Sequence, residues 1–287
     1  MTIYNLGSIN IDHVYRLAQL PRAGETLHSQ GYTQGLGGKG ANQSVAAARA
    51  GARVVHLGAM GTGDDWVPAR LEAAGVDTTA IRRLSDHATG HAIIMVDDQG
   101  ENSIILHGGA NMALPADLLK APIAAGDILL MQNETSLQAA AARLARSKGA
   151  TVIYSAAPFG LDALQEVLPH VSILAMNAGE AEQTFAAFGQ DLPVGGMLIT
   201  RGAEGAEYRD LRSGQVWRQP AFAVRPVDTT GAGDCFAGWF AAGLSRGEDM
   251  SSILRHAAAA AALQVTRPGA GDAMPDRAEV ADFLKAR

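Results

Sequence analysis

The hydrophobic positions of the chain fall into short apolar runs separated by longer alanine-rich or polar stretches. Runs of four or five apolar residues bounded by glycine or short polar residues are typical of buried strands. The predicted strands cover residues 3–6, 54–57, 127–131, 151–154, 172–175 and 196–200. Helices are predicted between them, for example from about 136 to 148. This strand–helix alternation predicts one α/β domain over residues 1–287, with a mainly parallel central sheet.

Two segments interrupt that alternation, at about 13–35 and 90–107. Both contain short β-like runs, joined by glycine in the first segment and by an Asp-Asp-Gln-Gly turn at 97–100 in the second. We therefore expect a small second sheet outside the main body, which we call the lid. A lid of this kind could cover a site or pair with a second subunit through its edge.

Composition narrows the class of protein. The 287 residues are 47% hydrophobic and 18% charged, with a net charge of −6 and a single cysteine, Cys235. Such a chain can bury a sizeable core, carries no basic patch for nucleic acid and forms no internal disulfide. No apolar stretch approaches the ~18 residues of a membrane span. These features predict a cytoplasmic enzyme that binds neither nucleic acid nor membrane, with Cys235 as a buried packing residue.

Short polar residues stand where several of the predicted strands end. They are Asn10, Asp12, Glu134, Asn177, Thr200 and Asp228. Each could simply cap a helix or form a turn. Because the carboxyl ends of parallel strands meet at one edge of a sheet, six such residues also favour a shared ligand crevice.

The segment 228–234, Asp-Thr-Thr-Gly-Ala-Gly-Asp, runs directly into an apolar helix. The first-turn N–H groups at Gly231, Ala232 and Gly233 would lack intrahelical acceptors and could bind an anion. Asp234 beside them is suited to take a proton from a hydroxyl next to a bound phosphate, which indicates phosphoryl transfer to an alcohol. An ordinary helix start with an acidic residue is an equally good interpretation of this segment alone. A dinucleotide fingerprint and a Walker loop are excluded, because Phe236 and Gly40 stand where those motifs need Gly and Ser or Thr.

A second glycine-rich stretch, 35–43, precedes an alanine-rich helix that ends at Ala50. Its glycines allow close approach to a ligand, and Lys39 and Asn42 add a positive charge and an amide. A ligand-binding loop is favoured over a plain flexible turn.

Taken together, these residues resemble the ribokinase-like (pfkB-type) carbohydrate kinases. The resemblance extends from 7–12 to 265–269, and its main stretches are 37–43 and 228–234, with further agreement at 100–102 and 108–111. It implies a three-layer α/β/α sandwich with a small β-sheet lid, which in this family also forms a dimer contact. It also implies an ATP- and Mg²⁺-dependent sugar kinase, with D-ribose to D-ribose 5-phosphate as the leading reaction.

The resemblance assigns roles residue by residue. Asp234 would be the catalytic base, and Gly231, Ala232 and Gly233 the anion hole. The positions matching sugar contacts are Asn10, Asp12, Gly38, Lys39, Asn42 and Glu134. The positions matching nucleotide contacts are Asn177, Thr200, Arg201, Gly202 and Gly205. Glu180 would act on Mg²⁺ through water.

Activation by a monovalent cation such as K⁺ is also implied. Asp228 matches a side-chain ligand, and the carbonyl positions are Thr230, Gln264, Arg267 and Gly269. Ala273 replaces an expected serine, so that one ligand is lost. The region 186–196 is shorter than in relatives, and Asn133 and Ser136 differ from the usual leucine and proline beside the sugar site.

Two alternatives stay open. The acceptor could be another small polyol or a nucleoside, such as deoxyribose, fructose, a sugar acid or adenosine. A sugar-binding regulator without catalysis is disfavoured, because a protein that only binds sugar has no need of Asp234.

Overall fold

The computed structural model describes residues 1–287. Its strands are β1 (Ile3–Leu6), β2 (Asn10–Arg16), β3 (Gly31–Gly37), β4 (Val54–Gly61), β5 (Val76–Asp77), β6 (Ile81–Leu84), β7 (Gly90–Val96), β8 (Asn102–His107), β9 (Ile128–Gln132), β10 (Thr151–Ser155), β11 (Ile173–Asn177), β12 (Gly196–Thr200), β13 (Ala206–Asp210) and β14 (Val216–Gln219). Its α-helices are α1 (Lys39–Arg49), α2 (Trp66–Ala73), α3 (Gln138–Ser147), α4 (Leu161–Val167), α5 (Ala178–Phe188), α6 (Ala232–Ser245), α7 (Met250–Gln264) and α8 (Arg277–Lys285). None of these helices has the length and apolar character needed to cross a bilayer.

The central sheet has the order β14-β13-β12-β11-β10-β9-β1-β4-β5, with β6 also paired to β4. All pairs from β12 to β5 are parallel, and β13 and β14 extend the sheet as an antiparallel hairpin. The predicted mainly parallel sheet is confirmed.

Two apolar clusters lie on opposite faces of this sheet. One joins the sheet to α1, α6 and α7, with Val45, Phe240 and Ala259 among its fully buried members. The other joins it to α3, α4 and α5, with Leu129 and Leu164 at its centre. The chain is therefore a three-layer α/β/α sandwich. Small residues bring α1 and α6 very close, since a Cβ on Gly238 would lie 2.6 Å from the Ala46 Cβ.

A separate four-stranded sheet has the order β3-β2-β7-β8 and corresponds to the lid. Strand β2, the first of these four along the chain, starts at Asn10, earlier than the β-like run predicted from residue 14. Asn10 and Asp12 therefore lie within a lid strand rather than in a turn after β1. Alternate residues of β2 point to opposite faces, which puts both polar side chains on one face.

Candidate active site

The start of α6 carries unpaired backbone donors. Gly231, which precedes the helix, has φ +80°, and a side chain there would also lie 3.0 Å from the Ala270 Cβ. The N–H groups of Gly231, Gly233 and Asp234 have no acceptor within the protein. The N–H of Ala232 donates to the Thr229 carbonyl at 3.2 Å, so this member of the predicted anion hole is already engaged. The remaining donors and the helix dipole favour an anion at this end.

Asp234 lies in the first turn of α6 and is only 8% exposed. Its two carboxylate oxygens accept hydrogen bonds from Asn42 Nδ2 at 3.1 Å and Gln43 Nε2 at 3.0 Å. Burial raises the pKa of this carboxyl, and Lys39, Gln43 and Asn42 oppose that rise without cancelling it. The acid is thus held against the helix that follows the glycine–lysine loop, and its raised pKa suits a general base.

That loop is built for close packing and for charge. A Cβ on Gly40 would lie 2.3 Å from the Ser8 nitrogen, so α1 can start against the end of β1 only with glycine at this position. The carboxylate of Glu134 accepts from the Lys39 N–H at 3.1 Å and from Ser8 Oγ at 2.5 Å. Glu134 therefore caps the first turn of α1, where a negative charge is stabilised.

Five charged side chains form one electrostatic cluster at the carboxyl ends of the strands. The pKa of Lys39 is raised, because the attraction of Asp234, Glu134 and Glu180 outweighs its burial. Asp12 makes no hydrogen bond in the protein, and burial together with Glu134 raises its pKa to about 6. Because three carboxylates act on the one ammonium group and Asp12 interacts with Glu134, the cluster is net negative. Unpaired buried charge of this kind suits a ligand with hydroxyl donors.

Asn10 is positioned by a residue that the sequence analysis did not assign to the site. Asn111 donates from Nδ2 to Asn10 Oδ1 at 2.8 Å and to the Ile9 carbonyl at 3.1 Å. Its own Oδ1 accepts from the Ile9 N–H at 2.9 Å. The oxygen of Asn10 is therefore already used, and its amide nitrogen is the group left for a ligand.

A chain of buried polar side chains extends from Asp234 under α1. Gln43 Oε1 accepts from Gln132 Nε2 at 2.8 Å, and Gln132 Nε2 also donates to Asn5 Oδ1 at 2.9 Å. Gln43, Gln132 and Asn5 are all 0% exposed. The amide of Gln43 can thus present only its nitrogen to Asp234, because its oxygen is committed to Gln132.

The other end of this chain is His56, which is fully buried. Asn5 Nδ2 donates to Ser44 Oγ at 2.8 Å, Ser44 Oγ lies 2.8 Å from His56 Nδ1, and His56 Nε2 lies 3.1 Å from the Gly7 carbonyl. Burial lowers the pKa of His56 to about 4, so the ring is neutral at pH 7. Since a carbonyl only accepts, Nε2 carries the proton and Nδ1 accepts from Ser44. The donor direction is therefore fixed along the whole chain.

A cavity of about 550 Å³ adjoins the start of α6. Gly233, Ala232 and Thr229 line it, and so do three of the predicted nucleotide positions, Thr200, Gly202 and Gly205. Its remaining walls are apolar: Ala203, Ala221, Phe222, Ala223, Val224, Pro226, Phe236, Ala258, Ala261, Ala262 and Val265. This shape suits a flat apolar group with an anion directed at α6.

Arg201 was also predicted to contact the nucleotide. Its guanidinium donates to Glu207 at 2.9 Å, and Arg209 pairs with the same carboxylate. Arg201 does not line the cavity, and its contact with a nucleotide stays a prediction.

Asn177 and Glu180 form a capping box at the start of α5. Asn177 Oδ1 accepts from the Glu180 N–H, and Glu180 Oε2 accepts from the Asn177 N–H, both at 2.8 Å. One Glu180 oxygen is left for other partners, within the field of Lys39 and Asp234. No cluster of three metal-binding side chains exists in the structure. A water-mediated role for Glu180 fits this arrangement, and a full protein cage for Mg²⁺ does not.

Asp228 does not end a strand, which corrects the sequence interpretation. It lies in an irregular segment, where its carboxylate accepts from the Thr230 and Gly269 N–H groups, each at 2.9 Å. The Arg267 guanidinium pairs with Glu279 at 2.6 Å, away from these contacts. Asp228 therefore ties two loops together and belongs to no common strand edge.

Comparison with known proteins places these features in a family. The model of the pfkB family carbohydrate kinases matches residues 2–277. A ribokinase from Haemophilus influenzae is 37% identical, over 99% of this chain and 98% of its own. A deoxyribokinase from Salmonella typhimurium is 30% identical, over 99% of each chain. The solved structure of Arabidopsis thaliana ribokinase complexed with ribose and ATP is 31% identical, covers 99% of this chain and 98% of its own, and has a TM-score of 0.89. The chain belongs to the pfkB family of carbohydrate kinases, and it is a phosphotransferase acting on an alcohol.

Proposed function

We propose that this chain is an ATP-dependent sugar kinase that converts D-ribose to D-ribose 5-phosphate. The observation that carries the proposal is the start of α6, where unpaired N–H groups and the buried Asp234 carboxylate lie within one turn. The first can hold a phosphoryl group, and the second can accept a proton from a hydroxyl beside it. Ribose is favoured because relatives at 30–37% identity over nearly the whole chain are ribokinases.

In the proposed step, the primary hydroxyl of the sugar attacks the γ-phosphorus of ATP in line with the bond to the departing ADP. Asp234 takes the hydroxyl proton as the new oxygen–phosphorus bond forms, and ADP leaves with the electron pair of the broken bond. The donors at Gly233 and Asp234 stabilise the negative charge on the moving phosphoryl oxygens. Most of the rate gain would come from positioning and charge stabilisation.

The sugar would lie between the lid face of β2 and the start of α1. The unpaired carboxylate of Asp12 and the carboxylate of Glu134 would accept hydrogen bonds from sugar hydroxyls. Asn42 Oδ1, which is buried without a partner, would accept another. Lys39 and the free amide nitrogen of Asn10 donate. Gly38, with φ +89°, lets the backbone before α1 pack directly against Ser8 and Asn10, since a Cβ there would lie 2.8 Å from the Asn10 nitrogen.

The nucleotide would occupy the cavity beyond Gly233, with Thr200, Gly202 and Gly205 against its base and ribose. Because the charged cluster is net negative, ATP needs a divalent cation to approach it. Mg²⁺ would supply that charge, held by the phosphates and by water on Glu180, with Asn177 nearby. An ATP-consuming enzyme of this kind would work in the cytoplasm.

We also propose a homodimer through the lid. Every residue of β8 is exposed, and Ile104, Ile105 and Leu106 are 56%, 57% and 53% exposed at the edge of that sheet. Three consecutive exposed aliphatic residues on an edge strand favour pairing with another chain. Sedimentation of the wild type and of Ile105→Lys tests this, because the charge should shift a dimer towards monomer.

The substrate is tested by measuring ADP formation with a panel of pentoses, hexoses and nucleosides. We expect D-ribose to give the highest kcat/KM, and phosphate on its 5-position. A higher value for deoxyribose would favour the activity of the Salmonella relative. If no acceptor gave turnover, the kinase proposal would be refuted.

The base is tested with Asp234→Asn. We expect turnover to fall by about 10²–10⁴-fold, which is the usual contribution of a general base. Sugar affinity should stay nearly unchanged, because the amide can still occupy the same space. Asp282→Asn, an exposed change on α8, is the matched control. Near-normal turnover in the Asp234 variant would contradict the assignment.

A further inference from the structure

The loop that contains Thr230 and the loop that contains Gly269 meet beside the start of α6. The side chains of Asp228 and Gln264 join them. Asp228 accepts from the N–H groups of Thr230 and Gly269, each at 2.9 Å. Gln264, the last residue of α7, donates from Nε2 to the carbonyls of the same two residues, at 2.7 Å and 3.1 Å. Both backbone polar groups of Thr230 and of Gly269 are therefore satisfied by this carboxylate and this amide.

The family resemblance predicts a monovalent cation at the same carbonyls. The residues present do not fit one. A cation shared by the Thr230 and Gly269 oxygens would have to occupy the position of Gln264 Nε2. Ala273, at 3% exposure, offers no side-chain oxygen in place of the serine expected there.

The amide cannot readily move aside or turn over. Gln264 is 0% exposed, so its side chain has no path to solvent without repacking of the loops. A flip would place Oε1 against two carbonyl oxygens, all of them acceptors. In the present orientation Oε1 lacks a donor, and the two hydrogen bonds from Nε2 offset the cost of that unpaired acceptor.

We propose that the side-chain amide of Gln264 replaces the monovalent cation in joining these loops, so that this enzyme needs no such ion. Thr230 directly precedes Gly231, whose backbone leads into the unpaired donors of α6. An amide fixed to the Thr230 carbonyl therefore holds the anion hole in place permanently. The negative charge of Asp228 is stabilised by hydrogen bonds from the N–H groups of Thr230 and Gly269 and by the positive charge of Arg16.

The first test uses the wild-type protein at constant ionic strength. Turnover and melting temperature are measured in K⁺, Na⁺ and tetramethylammonium chloride. We expect turnover to agree within about twofold, since an ion that binds only one state must shift both affinity and stability. A several-fold stimulation by K⁺, or a melting temperature raised by K⁺ alone, would overturn the proposal.

The second test is Gln264→Ala, which frees both carbonyls and opens space between them. We expect turnover without K⁺ to fall roughly tenfold, less than the ~100-fold loss of a whole anion-hole donor. Addition of K⁺ should restore it with saturation. Gln183→Ala is the matched control, because its amide also donates to a backbone carbonyl, that of Gly179 at 3.3 Å, on the exposed side of α5.

A Gln264→Ala variant with full turnover and no response to K⁺ would also overturn the proposal, since the amide would then have no role in ordering the loops. If the variant fails to fold, the wild-type comparison still decides. The activity measurements rest on the proposed kinase function, whereas the melting temperatures do not. A failure of sugar phosphorylation would therefore leave the cation question answerable.

Discussion

Gln43→Met tests whether the buried amide side chains set the position and the charge of Asp234, the proposed base. Methionine matches the length of glutamine but provides no N–H for Asp234 and no acceptor for Gln132. Both partners are buried, and Gln132 Nε2 lies 2.8 Å from the Gln43 oxygen that would be lost. The change therefore acts on one hydrogen bond to Asp234 and on one bond behind it.

The structure sets the size of the effect. A hydrogen bond to a charged group contributes about 1.5–3 kcal/mol, and an unsatisfied buried amide donor adds to that loss. We expect the free energy of unfolding to fall by about 2–4 kcal/mol, within the 5–15 kcal/mol typical of a domain. A base displaced by a fraction of an ångström should slow turnover by roughly 10–100-fold. Loss of a donor also raises the pKa of Asp234 further, because the charged form loses stabilisation.

The assay is kcat as a function of pH, with the KM for sugar and for ATP measured alongside. We expect both KM values to change by less than about threefold, and the acid limb of kcat to move to higher pH. Tyr154→Phe is the control, because it removes a buried hydroxyl from the same sheet and leaves the hydrogen bonds of Gln43, Gln132 and Asn5 intact. If the melting temperature fell while kcat and its pH profile stayed at wild-type values, Gln43 would be a packing residue only.

Three further outcomes follow from single observations. Asp12→Asn should raise the free energy of unfolding of the apo protein by about 2 kcal/mol at pH 8 and by much less at pH 4, because a carboxyl with its pKa raised to about 6 destabilises the fold only when it is ionised. Sugar affinity should fall, and urea midpoints equal to those of the wild type at pH 8 would contradict this. Tyr154→Phe should leave the melting temperature unchanged or raise it, because the buried Tyr154 hydroxyl has no hydrogen-bond partner. A fall of more than ~1 kcal/mol in the free energy of unfolding would mean that this hydroxyl makes a hydrogen bond in the folded protein. Thr200 and Thr229 are the only polar side chains that line the cavity proposed for the nucleotide. GTP should therefore replace ATP with a loss in kcat/KM of no more than about 100-fold. A greater loss would mean that backbone groups hydrogen-bond to the base and discriminate between adenine and guanine.

The sequence predicts the central sheet well, because its strands are buried on both faces and appear as plain apolar runs. It predicts the lid strands less accurately. Strand β2 starts at Asn10 because Asn10 and Asp12 alternate with Ile11 and His13, a pattern that resembles a polar turn when read without the partner strands. Asp228 was misplaced for a related reason, since its apparent strand end is a loop in which its own carboxylate accepts hydrogen bonds from the backbone N–H groups of Thr230 and Gly269.

The polar chain behind Asp234 was missed, although a signal was present. His56 and Gln132 interrupt apolar strands, and Asn5 stands within the first one. Strand register places Asn5 opposite His56 and two residues short of the level of Gln132, on one face of three neighbouring strands. Only the pairing of β1 between β4 and β9 brings them together. The contact from Gln43 to Asp234 spans 191 positions, and no local pattern predicts it.

The proposed base and the proposed anion hole both lie in the first turn of α6. The contacts that hold this turn from α1 and from α7 therefore determine the geometry of the proposed reaction. On the α1 side, Gln43 and Asn42 hold the carboxylate of Asp234, whose direction fixes where a hydroxyl can be deprotonated. On the α7 side, Gln264 holds Thr230, whose carbonyl fixes where the free N–H groups point. A rotation of this turn would move the proposed base and the proposed anion hole together. Neutral amides can resist that rotation without adding charge to a cleft that is already net negative, and each is locked by acceptors that leave it one orientation. In the proposed site, the positions of Asp234 and of Thr230 therefore depend on uncharged amides. The Asp12 carboxylate and the Lys39 ammonium make no hydrogen bond within the protein and are available to a ligand.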